Sequence, residues 1–227
     1  ERVTVANIDI VCVVAAAKDP PLRPGLIDRY LIAIQRGGAE ALLAVNKVDL
    51  LSEEERGAMM EILDPYGAMG LKVVLCSTET SEGLDDLRAA LSGAISAVVG
   101  HSGVGKSSLI NALDPTQDLD TGETNQFIGR GRHTTTQSRL LRLDGDIQII
   151  DTPGIRSFGM FQLKPEALRW YFPEFEDLSP QCQFSDCGHD HEPNCAVRDA
   201  AEGGGIAKAR FDAYLRILES LDNPSYS

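Results

Sequence analysis

No long hydrophobic run and no surplus of positive charge occur in this 227-residue chain. The longest apolar stretch, Ile8 to Ala17, is interrupted by Asp9 and is half the ~20 residues a membrane-spanning helix needs, so a transmembrane segment is excluded. That stretch reads as a buried strand. Lys and Arg number 21 against 34 Asp and Glu, for a net charge of −13 and a pI near 4.7. A chain-wide basic surface for wrapping nucleic acid is therefore excluded, although a local basic patch is not. The chain opens at Glu1 with neither Met nor a basic-then-apolar leader, and reads as a trimmed chain or a fragment rather than a secreted precursor. A disulfide framework is missing too. Of five cysteines, Cys12 and Cys76 lie in apolar runs and the other three crowd into residues 182–195, which fits a metal cluster in a reducing cytoplasm. There is no internal repeat and no low-complexity tract. The length suits one large domain, or one domain with an appendage.

What is present is an alternation of short Val/Ile-rich runs with amphipathic helical patterns up to about residue 154, the signature of βαβ units and a mostly parallel sheet. The expected strands are Asp9–Ala16, Ala41–Val45, Lys72–Ser77, Ile95–Val99, Ser138–Leu143 and Asp146–Ile150. Helices are expected over Leu26–Arg36, Ser52–Leu63 with a capping box at its start, Glu82–Leu91 and Lys106–Leu113. Residues 114–136 are polar and without period, and read as a long loop, mobile or ordered by ligand. Beyond Gly154 come a Pro- and aromatic-flanked region, the Cys cluster, a glycine breaker and a last helix from about Ile206 to Leu221. Phe211, Tyr214, Leu218 and Leu221 recur there at helical spacing, as a core-packing stripe does.

Gly100-His101-Ser102-Gly103-Val104-Gly105-Lys106-Ser107 fits G-x-x-x-x-G-K-[ST] between an expected strand and an expected helix. Glycines let backbone N–H groups close around phosphates, Lys106 supplies a charge to the β- and γ-phosphates, and the Ser107 hydroxyl ligates Mg²⁺. Asn46-Lys47-Val48-Asp49 follows a strand, where a base-reading loop of an open α/β sheet belongs. A carboxylate at Asp49 accepts two hydrogen bonds from guanine N1–H and N2, a pair adenine lacks; Asn46 would hold the loop and reach N7, and the Lys47 stem would cover the ring. Ser77-Thr78 offers a backbone N–H for guanine O6. Asp151-Thr152-Pro153-Gly154 fits D-x-x-G, with Asp151 holding Mg²⁺ through water and the Gly154 N–H touching the γ-phosphate. Thr134 or Thr135, in the run Gly131–Thr136, is the expected second Mg²⁺ and γ-phosphate contact.

An ordinary GTPase runs P-loop, switch threonine, D-x-x-G, N-K-x-D, then the O6 loop. Here N-K-x-D and Ser77 precede the P-loop and D-x-x-G comes last, so the domain is circularly permuted. The segment after residue 154 is thereby tied to nucleotide state. It carries Cys182, Cys187, His189 and Cys195, three thiolates and one imidazole, the ligand set of a structural Zn²⁺ closed to water. His191 is expected at the surface or behind the ligands. The expected architecture is an α/β, circularly permuted P-loop GTPase domain over residues 1–160 and an α-helical zinc-binding domain over residues 161–227.

The permuted order, the P-loop continuing as Ser108-Leu109-Ile110-Asn111, Gly131–Thr136, Asp151–Phe158, the Cys182–Cys195 cluster and the early Asp28-Arg29-Tyr30-Leu31 together resemble the RsgA family, also called YjeQ, over essentially the whole chain. The resemblance implies a cytoplasmic GTP hydrolase in late maturation of the small ribosomal subunit, stimulated by that subunit and binding it or its rRNA according to GTP or GDP. Ser108 joins the nucleotide contacts in this picture, and neither a membrane nor a second copy of the chain is expected as partner. Family members also carry an N-terminal RNA-binding OB-fold that has no counterpart here. Ile155, directly after D-x-x-G, cannot orient water, and the resemblance points to His133 for that role. The alternative is a nucleotide-gated RNA- or protein-binding module whose slow hydrolysis only resets the switch. An ATP-dependent enzyme is disfavoured by Asp49. From Ile128 to Arg142 there are Arg130, Arg132, Arg139 and Arg142 and no acid, and this segment is the expected rRNA contact beside an acidic zinc region.

Overall fold

The computed structural model describes residues 8–119, 139–151 and 163–222. Six strands form one sheet: β1 (Ile10–Ala16), β2 (Glu40–Asn46), β3 (Lys72–Leu75), β4 (Ile95–Val99), β5 (Arg139–Leu143) and β6 (Ile147–Asp151). Their spatial order is β3-β2-β1-β4-β6-β5, parallel throughout except for β5, which runs antiparallel to β6. The register sets Cys12 beside Leu42 on one side and Val98 on the other.

Near-continuous apolar strands follow from burial on both faces. One face packs Cys12, Val14, Leu42 and Ala44 against α3 (Leu84–Leu91) and α4 (Lys106–Leu113). The alternate residues Val11, Val13, Leu43 and Val45 pack against α1 (Pro24–Gly37) and α2 (Glu53–Ala68). The capping box of α2 is present: Ser52 Oγ accepts the Glu55 N–H at 3.2 Å and Glu55 Oε2 accepts the Ser52 N–H at 2.9 Å. This helix runs past its expected end and through Pro65, because Leu63 and Tyr66 in its last turns are buried against the sheet side.

Residues 163–222 build a second core around Leu168, Phe172, Phe175, Tyr214 and Ile217. Its elements are three short 3-10 turns (Pro165–Tyr171, Pro173–Phe175, Ser179–Gln181), α5 (Ala196–Glu202) and α6 (Lys208–Asp222). In α6, Phe211, Tyr214 and Leu218 are buried as the stripe predicts, and Leu221 partly so.

Helix α1 lies between the two cores. Ile27, Tyr30 and Ile34 face the sheet, whereas Ile32 joins the second core. One turn away from Ile32, Asp28 pairs with Arg210 of α6, which also holds Glu174 (Nε–Oε1 2.6 Å). Arg210 is 4% exposed, Asp28 1% and Glu174 18%. The guanidinium lies 4.6 Å from the Phe172 ring and 5.3 Å from that of Tyr66. Nearby, Arg29 Nη2 donates to Ser220 Oγ at 2.9 Å.

Candidate functional site

Because β1 to β4 are parallel, their following loops meet at one edge of the sheet. From β1 the chain turns to α1 on one face, and from β4 to α4 on the other; the crevice between such strands is where an open α/β sheet takes a ligand. The loop from Gly100 to Gly105 lies there. At Gly100 a Cβ would sit 2.2 Å from the Val14 carbonyl oxygen, and at Gly105, where φ is +92°, 2.3 Å from Asn46 Nδ2. Only bare backbone fits, and it leaves a cradle of N–H groups at the start of α4, with Ser107 and Ser108 in the first helical turn. Lys106 Nζ donates to the carbonyls of Gly100 (2.9 Å) and His101 (2.8 Å), so it folds back over the loop. His101 and Ser102 are exposed and Val104 is buried beneath them.

The expected base-reading loop, Asn46–Asp49, is bonded to this loop. Asn46 is buried, its Nδ2 donates to the Val104 carbonyl at 3.0 Å, and its Oδ1 has no partner among the described residues. Lys47 has a left-handed backbone (φ 65°) and its Nζ donates to the Asp19 carbonyl. Asp49 Oδ1 accepts the Ser77 hydroxyl, whose oxygen in turn accepts the N–H groups of Glu79 (3.1 Å) and Thr80 (3.2 Å). The Ser77 N–H is taken by the Glu82 carbonyl at 3.0 Å, and this turn ends β3 at Leu75, short of its expected Ser77. Of the Ser77-Thr78 pair, the Ser77 N–H is thus engaged, whereas the Thr78 N–H has no backbone partner among the described residues. Asp151 closes β6, the neighbour of β4, and so reaches the same edge. A bare glycine loop and a buried acceptor without a partner among the described residues, with the end of β6 at the same edge, suit a guanine nucleotide.

In the second core Cys182, Cys187, His189 and Cys195 place their ligand atoms within 4.8 Å of one another. Cys182 and Cys195 sulfurs are 4.0 Å apart, near the ~3.8 Å edge of a tetrahedron with Zn–S bonds of ~2.3 Å. His189 Nε2 meets Ser179 Oγ at 3.2 Å, which leaves Nδ1 facing Cys195 (3.4 Å) and Cys182 (3.7 Å). Burial, then Arg169, pushes the imidazole pKa down and so favours the neutral ring that binds metal. Burial pushes the Cys187 thiol up to about 12 and that of Cys195 in the same direction. Such thiols ionise only with a cation to offset them, and the cluster can hold a metal. His191 is exposed and bonded to Asp190 at 2.6 Å, apart from the four. Cys12 and Cys76 are buried in the sheet, with burial raising each to about 12.

The profile of the RsgA GTPase family matches residues 1–161. This chain belongs to that family. It is 43% identical over 221 residues to the small ribosomal subunit biogenesis GTPase RsgA of Chlorobaculum tepidum, covering 97% of this chain and 70% of that protein. The RsgA of Dickeya dadantii is 45% identical over 219 residues, covering 95% and 62%. Among solved structures, YjeQ from Thermotoga maritima superposes with a TM-score of 0.82 at 36% identity, over 96% of this chain and 73% of that one. YloQ, described as a circularly permuted GTPase, superposes at 0.78 and 26% identity, over 97% and 70%. The strand order above is this permuted GTPase fold, with the P-loop strand fourth in the chain and central in the sheet.

Several expected site residues of this RsgA-family GTPase, namely His133, Thr134, Thr135 and Gly154, lie outside the described residues, as do Arg130 and Arg132. Sequence reasoning missed the Arg210–Asp28–Glu174 junction. Asp28 stood out only within the Asp28–Leu31 resemblance, and Arg210 gave no local sign. It also missed Ser179 behind His189, and the Lys18–Glu55 pair (2.7 Å) that ties the loop after β1 to α2.

Proposed function

We propose that this chain binds GTP across the carboxyl edge of its sheet and hydrolyses it in step with late maturation of the small ribosomal subunit. The observation that carries the reading is the Asn46–Val104 bond, which joins the base-reading loop to the phosphate cradle. Asp49, oriented by Ser77, accepts from guanine N1–H and N2, and the Thr78 N–H donates to O6. Gly100 to Ser108 wrap the phosphates, and Lys106 turns from the loop carbonyls to the β- and γ-phosphates. Ser107, Asp151 and either Thr134 or Thr135 would hold Mg²⁺, which would supply charge neutralisation at the phosphates. The Gly154 N–H meets the γ-phosphate, and His133 positions the water that Ile155 cannot.

Cys182, Cys187, His189 and Cys195 would hold a structural zinc ion. Residues 1–160 are the GTPase domain and 161–227 the zinc-binding domain of a cytoplasmic monomer. The rRNA contact is the basic segment around Arg130, Arg132, Arg139 and Arg142. The test is GTP hydrolysis by the purified chain with and without small subunits. Stimulation by the subunit, and loss of that stimulation in His133→Ala at unchanged GTP affinity, are expected. Tighter binding of ADP than of GDP overturns the reading.

A further inference from the structure

Trp170, the single tryptophan of the chain, is 63% exposed although its neighbours Leu168 and Phe172 are among the most buried side chains. It projects from the first 3-10 turn of the second core and contributes little to that core. One face of its ring is backed by Arg169, whose Cζ lies 4.6 Å from the ring centroid. Arg169 Nη1 donates to the carbonyls of Ser185 (3.2 Å) and Cys187 (3.1 Å), so the guanidinium fastens the tryptophan to the loop that carries Phe184, itself 41% exposed. An exposed indole held rigidly by its own scaffold, with a second exposed aromatic on the loop it is tied to, has the form of a preorganised binding hot spot.

Charge decides the occupant. Residues 163–202 hold nine Asp and Glu against three Lys and Arg, a surplus of six negative charges. Asp186, two residues from Phe184, and Glu166, one turn before Trp170, are exposed. Of the three cations, Arg169 directs its Nη1 to two carbonyls and Arg198 bonds the carbonyls of Asp190 and Glu192, so both are turned into the fold. A nucleic-acid backbone is repelled by such a surface, whereas an Arg or Lys side chain finds both the open face of the indole and carboxylates around it.

We propose that the Trp170–Phe184 face docks an arginine- or lysine-rich segment of a partner protein. This contact uses none of the residues assigned to the nucleotide and does not require the basic segment near residue 130. Arginine stacks on the free face of Trp170, and flanking cations meet Asp186 and Glu166.

The test uses the whole chain and nona-arginine as probe, with the intrinsic fluorescence of the sole tryptophan as readout. A saturable change of Trp170 emission that weakens as salt rises is expected. With labelled peptide followed by anisotropy, Trp170→Ala and Asp186→Asn should each weaken binding about fivefold. Glu61→Gln, which removes an exposed charge of the same sign on α2, should change it less than about twofold. Phe184→Ser, which keeps the reporter, serves as a second aromatic variant, and circular dichroism verifies that each variant is folded. Equal losses in Glu61→Gln and Trp170→Ala reduce the effect to bulk charge and overturn the proposal. So does tighter binding of a single-stranded RNA oligonucleotide than of the peptide, or no saturable change at all.

Discussion

Replacing Arg210 with Met withdraws a single cation from two carboxylates while keeping much of its apolar stem. Glu174 is exposed enough for water to take over, but Asp28 is not, and its Oδ2 already lacks a hydrogen-bond partner among the described residues. Removing one member of a buried ion pair costs about 3–5 kcal/mol. At about 2–4 °C per kcal/mol for a chain of this size, the melting temperature should fall by about 6–20 °C. Burial already raises the Asp28 pKa above its ordinary 3.8, and Arg210 pulls it partly back. A carboxyl with a raised native pKa favours the native state fully below its ordinary value, and this contribution is lost as pH rises through the native value. Without Arg210 the native value climbs further, so the variant should lose most stability at pH 7–8 and least near pH 5. Asp28→Asn in the same background should recover much of the loss, since the amide carries no charge to strand. Thermal melts followed by Trp170 emission, which reports from the second core, read all three. A melting temperature within about 2 °C of the parent at pH 7.5, or a loss that grows toward pH 5, refutes the reasoning.

Gly105→Ala forces a Cβ to 2.3 Å from Asn46 Nδ2 at a backbone angle alanine avoids, so GDP affinity by calorimetry should fall at least about tenfold with helix content retained. Unchanged affinity contradicts the coupling of base loop and phosphate cradle. Asp49→Asn should move preference from guanine to xanthine nucleotides, because an amide donates where the carboxylate only accepted; retained GTP selectivity counts against Asp49 as the base reader. Metal analysis of purified protein should find one zinc per chain, and Cys195→Ser should release it and unfold residues 163–222 while GDP binding persists. A chain free of zinc whose melting is indifferent to chelators removes the metal from the account.

The GTPase half was legible because its signals are local. Ile95–Val99 and Lys106–Leu113 have the expected bounds, since a β-branched run, a glycine loop and an amphipathic turn follow each other without ambiguity. The second core was harder to read. Helix α5 spans 7 residues, too few to show a period, and its start is capped by Cys195, whose sulfur accepts the Arg198 N–H at 3.4 Å. The 3-10 turns did leave a trace in the prolines at their first or second positions, Pro165, Pro173 and Pro180. The Arg210–Asp28 junction joins residues 182 apart in sequence, and nothing near either residue foretells the other. In the site, residue types and spacing announced the expected guanine loop, but that the Glu82 carbonyl takes the Ser77 N–H needed the turn to be seen.

The strand order also bears on how this protein comes off the ribosome. The central strand β1 is made first, and by Leu75 the flank β3-β2-β1 has all its strands, whereas β6, on the opposite flank, ends at Asp151. The 76 residues between those ends take roughly 4–15 s at about 5–20 residues per second. For the first part of that interval, until β4 ends at Val99 and the loop to Ser108 follows it, the nascent chain holds the Asn46–Asp49 loop with no glycine loop beside it, and a flank of β1 waiting for β4. An unpermuted GTPase emerges in the opposite order, phosphate cradle first.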